Sequence, residues 1–168
     1  MTSSNNKTLL HRRQLIAGSL LVIVGAAIPP ARSASRMPPR VLFICQFGTV
    51  KSAIARELLK RRAAARGISV IVSSRGITPE AHLAPSTRSQ LLAEGIDLDG
   101  ERLQKLRRAD LGNADLVVAF NPLPASMRKK GLRDWSAVPS VNDTYSLARA
   151  DLDRRIDQLL DYVSQMRR

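Results

Sequence analysis

Cys45 is the only cysteine in the chain, and it closes an apolar run, Val41 to Ile44. After it come Gln46, Phe47, Gly48, Thr49 and Val50, then a Lys51–Ser52 pair, then a strongly helical segment. A strand that turns through a short loop into a helix gathers successive backbone N–H groups and a helix N-terminus around one small volume. Such a volume attracts anions and stabilises a thiolate. Gly48 lets the loop enter conformations closed to residues with a Cβ. Lys51 adds a full positive charge six residues after the cysteine. Ser52 is placed to cap the helix and to donate a hydrogen bond to the sulfur. These residue types suit a cysteine nucleophile facing a tetrahedral oxyanion. They equally suit a buried thiol, because free cysteine packs as a small hydrophobe at strand ends. The loop by itself leaves both readings open.

The elements that must position this loop follow from hydrophobic periodicity. Residues 41–44 are short, wholly apolar and rich in β-formers, as a parallel strand covered on both faces should be. Residues 52–67 predict a helix with Ile54, Leu58 and Leu59 on one face, stopped by Gly67. A second strand is predicted over 68–74. A helix over 85–96 should have Ser86 as N-cap and Gly95 as its stop. The basic stretch 101–113 then leads to a third strand at 114–120. A short helix follows within 122–131, then a fourth strand at 136–139 and a terminal helix over 146–166. Leu147, Ile156, Leu159, Leu160 and Val163 are predicted to form that helix's buried face. Strands alternating with helices at these lengths predict an α/β fold. It is one doubly wound domain over residues 37–168, with a central four-stranded parallel sheet flanked by helices on both faces. In such a sheet the ligand crevice lies beyond the carboxyl ends of the strands, where Cys45 falls.

Ahead of this domain, residues 1–35 read as an export signal and linker. Arg12 and Arg13 precede a 14-residue apolar run from Leu15 to Ile28, and Pro29–Pro30 end it. The run is short of the about 18–20 residues needed to span a bilayer. Paired arginines followed by Gln14, Leu15 and Ile16 resemble a twin-arginine signal, with small residues around Ser33 and Ser35 offering cleavage sites. The expected location is therefore periplasmic, or membrane-anchored if the signal is retained. Contact with the membrane is expected through the signal only.

The 168 residues carry 27 Lys and Arg against 14 Asp and Glu, a net charge of +13. Four of the bases lie in the first 33 residues, which contain no acid, so the rest keeps 23 bases and 14 acids, a net +9. That surplus favours anionic partners. Aromatic residues make up 4% of the chain and form no stripe among the bases, which disfavours single-stranded nucleic acid and predicts no specific nucleic-acid partner. One cysteine permits no internal disulfide, and two histidines offer no credible metal cluster, so no metal and no cofactor are expected. His82 reads as a surface residue.

Residues 41–59, VLFICQFGTVKSAIARELL, resemble the opening of the low-molecular-weight protein tyrosine phosphatases and the related arsenate reductases, where a first strand ends in C-x5-R-S. The resemblance runs over about residues 40–165. VSSRGI resembles the family's strand ending in Ser-Ala-Gly, LLAEGIDLDGERLQKL its Gly-Ile-Asp stretch, and ADLVVAFN the strand after it. Trp135, the Val138–Ser140 segment and Asn142 to Tyr145 complete the match. The resemblance implies that Cys45 forms a thiophosphate intermediate and that the backbone of Gln46, Phe47, Gly48, Thr49, Val50 and Lys51 cradles the phosphate. It implies also that Ser52 steadies the thiolate, and that Asp143 protonates the leaving oxygen and later activates water. Tyr145 is expected beside the mouth. The sequence departs from the family pattern at three positions. Lys51 replaces the loop arginine, Gly48 the loop asparagine, and Asp143–Thr144 the Asp-Pro pair. An ammonium is a mobile point charge, whereas a guanidinium grips two oxygens in a fixed fork.

The expectation is a monomeric cysteine-dependent phosphatase acting on phosphotyrosine in a protein or on a small aryl phosphate, and binding inorganic phosphate or another oxyanion. The alternatives are a catalytically silent oxyanion- or phosphoprotein-binding domain and an arsenate reductase resolved by an external thiol. A reductase relaying oxidation through its own further cysteines is disfavoured, because the chain has none.

Overall fold

The structure, a computed structural model, describes residues 37–166; the export signal predicted over 1–35 lies outside them. In chain order the elements are β1 (Arg40–Cys45), α1 (Lys51–Ala65), β2 (Ile71–Gly76), α2 (Pro85–Ala93), α3 (Arg108–Asn113), β3 (Leu116–Ala119), a 3₁₀ turn (Ala125–Met127), β4 (Arg133–Asp134) and α4 (Tyr145–Gln165). The strands form one parallel sheet in the order β2-β1-β3-β4.

Central placement explains why β1 is apolar at every step. Val41, Phe43 and Cys45 face a core built with α1 and α4, including Ile54, Leu58, Leu59, Ile156 and Leu160. Leu42 and Ile44 face a smaller core with Leu106, Leu111 and Val117 on the α3 side. Alternating side chains of one strand therefore feed both layers. The doubly wound sheet with helices on both faces is as the sequence predicts.

Four local expectations need correction. The fourth strand is not 136–139 but Arg133–Asp134, which pairs in parallel with Val118 and Ala119. Two charged residues carry no hydrophobic signature, whereas Val138 is buried in the segment that follows. On α4, Leu147 is 64% exposed, and Ala148 and Leu152 take the inner positions ahead of Ile156, Leu159, Leu160 and Val163. Ser86 lies inside α2, whose N-cap is Ala84, with Pro85 beginning the helix. Proline already holds the φ a first helical turn requires and lacks the N–H that would go unpaired there. Ser52 likewise lies inside α1, one residue past its start at Lys51, so it does not cap the helix.

Arginines and carboxylates alternate where α1 and α4 meet. Arg62 bonds Asp153 at 2.5 Å and also pairs with Asp157, while Arg66 reaches Asp157 at 2.8 Å and Asp161 at 2.7 Å. Half-exposed pairs of this kind contribute little apiece. The apolar seam beneath them carries the packing. Accordingly, Leu160→Ala should lower the unfolding free energy by about 2–5 kcal/mol in urea titration, while Leu147→Ala should change it by less than about 0.5 kcal/mol.

Candidate active site

Cys45 ends β1 and is 3% exposed. Its sulfur receives the backbone N–H of Gly48 at 3.1 Å and lies 3.1 Å from the buried hydroxyl of Ser52, which can donate. The loop thus bends back over its own first residue, and the start of α1 brings Ser52 underneath. Both contacts hold the sulfur in place at the end of β1.

The bend depends on two glycines facing each other. Gly48 has φ +79°, and a Cβ there would stand 2.7 Å from the backbone nitrogen of Gly76. A Cβ on Gly76 would stand 2.7 Å from the carbonyl oxygen of Phe47. The loop and the end of β2 therefore touch backbone to backbone, a contact neither would make with a side chain present. Beyond β2 the chain stays with the loop: Ile77 N–H donates to the Cys45 carbonyl at 3.1 Å, Thr78 N–H to Gln46 at 2.9 Å and Glu80 N–H to Phe47 at 3.2 Å.

Side chains fix the rim. Gln46 Nε2 donates to Thr78 Oγ1 at 2.7 Å, and Thr49 Oγ1 donates to the Glu80 carbonyl at 2.7 Å. The Phe47 ring stacks on the imidazole of His82 with centroids 4.0 Å apart. The N–H of Gln46 donates to Asn121 Oδ1 at 2.9 Å, so a residue just past β3 holds the first peptide of the loop. Val50 is buried and faces the main core. Gln46 to Val50 thus form the turn between Cys45 and the start of α1 at Lys51.

Lys51 does not stand free over the loop: its Nζ donates to the Val138 carbonyl at 2.5 Å. Burial draws its pKa below the ordinary lysine value, and the negative charge of a nearby Cys45 thiolate opposes that shift. Asp143 is exposed in the turn before α4, beside a cleft it shares with Gln90, Glu94 and Tyr145. Among the described residues its carboxylate makes no hydrogen bond to the loop. Its neighbour Asn142 does bind the rim, accepting from Ala84 N–H at 3.1 Å and donating to the His82 carbonyl at 2.9 Å. Tyr145 is held elsewhere than the sequence suggests: its hydroxyl donates to Glu94 at 2.6 Å, and its ring packs against the main core. Burial and Glu94 raise its pKa above the usual tyrosine value.

Asn121, Gly76 and the His82 ring escape the sequence reading. A polar residue directly after the apolar Leu116–Phe120 run is the one sign of Asn121, since strand ends line the crevice. Gly76 is marked only by the VSSRGI segment that resembles the family's strand ending in glycine, with no sign of its contact with Gly48, and His82 by nothing local. Among the described residues, no group of three or more His, Cys, Asp or Glu side chains is placed to hold a metal ion.

The family model for low molecular weight phosphotyrosine protein phosphatase matches residues 40–166. No curated protein matches the chain. Among solved structures, a low molecular weight protein tyrosine phosphatase from T. tengcongensis is similar at 26% identity with a TM-score of 0.58, covering 74% of this chain and 99% of its own. YfkJ from Bacillus subtilis aligns with a TM-score of 0.65 at 18% identity, over 80% of this chain and 99% of its own. A thioredoxin-dependent arsenate reductase from Corynebacterium glutamicum aligns with a TM-score of 0.60 at 24% identity, over 79% and 65%.

The glycine contact yields a test by stability alone. Gly76→Ala must push the loop off β2 and should cost about 1–3 kcal/mol in urea unfolding. Gly112→Ala, a helical position with open space around it, should stabilise by up to about 1 kcal/mol.

Proposed function

The chain belongs to the low molecular weight phosphotyrosine protein phosphatase family, and from that premise we propose that it is a cysteine-dependent phosphomonoesterase acting on phosphotyrosine or a small aryl phosphate. One observation carries the reading: the Cys45 sulfur, 3.1 Å from both Gly48 N and Ser52 Oγ, sits at the focus of the loop and the start of α1. In the proposed reaction the Cys45 thiolate attacks phosphorus, forming the S–P bond as the P–O bond to the leaving group breaks. Asp143 gives its proton to that oxygen. The Asp143 carboxylate then takes a proton from water, whose oxygen displaces the sulfur and releases phosphate. Backbone N–H groups between Phe47 and Lys51, with the Lys51 ammonium, bear the charge that builds on the non-bridging oxygens. The Phe47–His82 stack offers a flat rim for an aryl leaving group. No cofactor takes part, and the protein acts as a monomer exported through its N-terminal signal; fractionation leaving the full-length precursor in the cytoplasm would overturn the export.

A second reading, a silent binder of oxyanions or phosphoproteins, draws on the Lys51 bond to Val138, which commits the loop's one cation to a carbonyl. An arsenate reductase using an external thiol is the third, in line with the reductase among the structural neighbours.

Turnover of an aryl phosphate separates the three. Cys45→Ser should abolish it, and Asp143→Asn should lower kcat about 10²- to 10⁴-fold. Lys51→Arg should raise it, by about 10- to 10²-fold, by restoring a two-pronged donor. Phosphate binding without turnover in the unmodified protein supports the silent binder, and thiol-dependent arsenate reduction supports the reductase.

A further inference from the structure

Charge is interleaved where α1 packs on α4 and left over in the 102–107 segment. Along the seam of α1 and α4, Arg62, Arg66 and Arg149 each meet an aspartate. On the α3 side, the segment from Arg102 to Arg107 borders a cleft of about 500 Å³ lined by Arg75, Arg102, Lys105, Arg107 and the single acid Asp110. Asp110 is already committed: one oxygen pairs with Arg75 at 3.0 Å and the other accepts the Arg107 N–H at 2.8 Å. Arg102, Lys105 and Arg107 are exposed and have no carboxylate partner among the described residues.

This cleft shares backbone with the phosphate loop. Gly76, whose nitrogen faces Gly48, donates to the Gln104 carbonyl at 3.0 Å and accepts from Leu106 N–H at 2.8 Å, bridging in parallel to Lys105. The end of β2 at Gly76 thus touches the loop on one side and the basic segment on the other. At the usual spacing of about 4.8 Å between paired segments, the Lys105 backbone lies roughly 10 Å from that of the loop. An extended peptide covers that distance in about three residues.

We propose that Arg102, Lys105 and Arg107 dock acidic side chains about three residues from the phosphorylated residue of a protein substrate, making this cleft a specificity subsite. The inference rests on the phosphatase reading for the loop, but its recognition step does not require turnover. Exposed cations that lack partners in the free protein give up no internal ion pair on binding. Their attraction for carboxylates should show as salt-sensitive affinity.

Calorimetric binding of two phosphotyrosine peptides tests this, one with Asp and Glu on both flanks and one with Asn and Gln in their places. The acidic peptide should bind about tenfold tighter at low salt, and the advantage should shrink as salt rises. Combined Arg102→Ala, Lys105→Ala and Arg107→Ala should erase the difference while leaving inorganic phosphate affinity unchanged; Lys105→Glu alone should reduce it. Equal affinities in the unmodified protein, or a preference that survives the triple substitution, overturn the proposal. Binding of phosphatidylglycerol vesicles through these three residues, without peptide discrimination, also overturns it and makes the cleft a membrane contact. Acidic-peptide preference with no aryl phosphate turnover keeps the docking subsite and removes the phosphatase.

Discussion

A buried sulfur held from two sides, by the Gly48 N–H and the Ser52 hydroxyl, is the contact around which this domain is arranged. It requires the chain to reverse within a few residues of a central strand, and that reversal requires a backbone able to take a positive φ. It also requires β2 to end without a side chain, because Gly76 and Gly48 approach closer than any Cβ would allow. The covered position of β1 and the segment 77–80 lying along the loop both serve to keep this turn in place. Short-range hydrogen bonds thus fold an ordinary strand-to-helix connection into a tight turn over Cys45.

Charge placement follows a second rule. Where two helices must pack, as α1 against α4, positive and negative side chains interleave. Around the strand ends the balance is different. Burial lowers the pKa of Lys51, and its bond to the Val138 carbonyl spends one of its three donors. Its ammonium offers field without the fork geometry that arginine would bring to that position. The unmatched cations of the 102–107 segment add attraction at longer range.

The sheet and the loop were legible in the sequence because their signals are local. An apolar run buried on both faces has only a few continuations, and glycine, lysine and serine after a lone cysteine mark a strand-to-helix turn while leaving open whether the thiol reacts. The errors share a physical cause. β4 is two charged residues that pair only because β3 lies beside them, so no periodicity reports it. Leu147 is apolar yet exposed, because the inward face of α4 begins one residue later, at Ala148. Ser86 and Ser52 are good capping types, but Pro85 and the loop geometry set the helix starts instead. Tyr145 was drawn away by Glu94, some fifty residues distant in the chain. Asn121 and His82 join the site through contacts of comparable or longer range, which only the folded chain reveals.

On the proposed chemistry Cys45 is a nucleophile and not merely a core thiol. Mixing the protein with an aryl phosphate, quenching in acid within the first turnovers and weighing the intact chain tests it most directly. The account predicts a protein carrying one phosphoryl group, mapped to Cys45 and missing from the Cys45→Ser variant. A chain whose mass stays unchanged at every quench time, although phosphate binds, would contradict it.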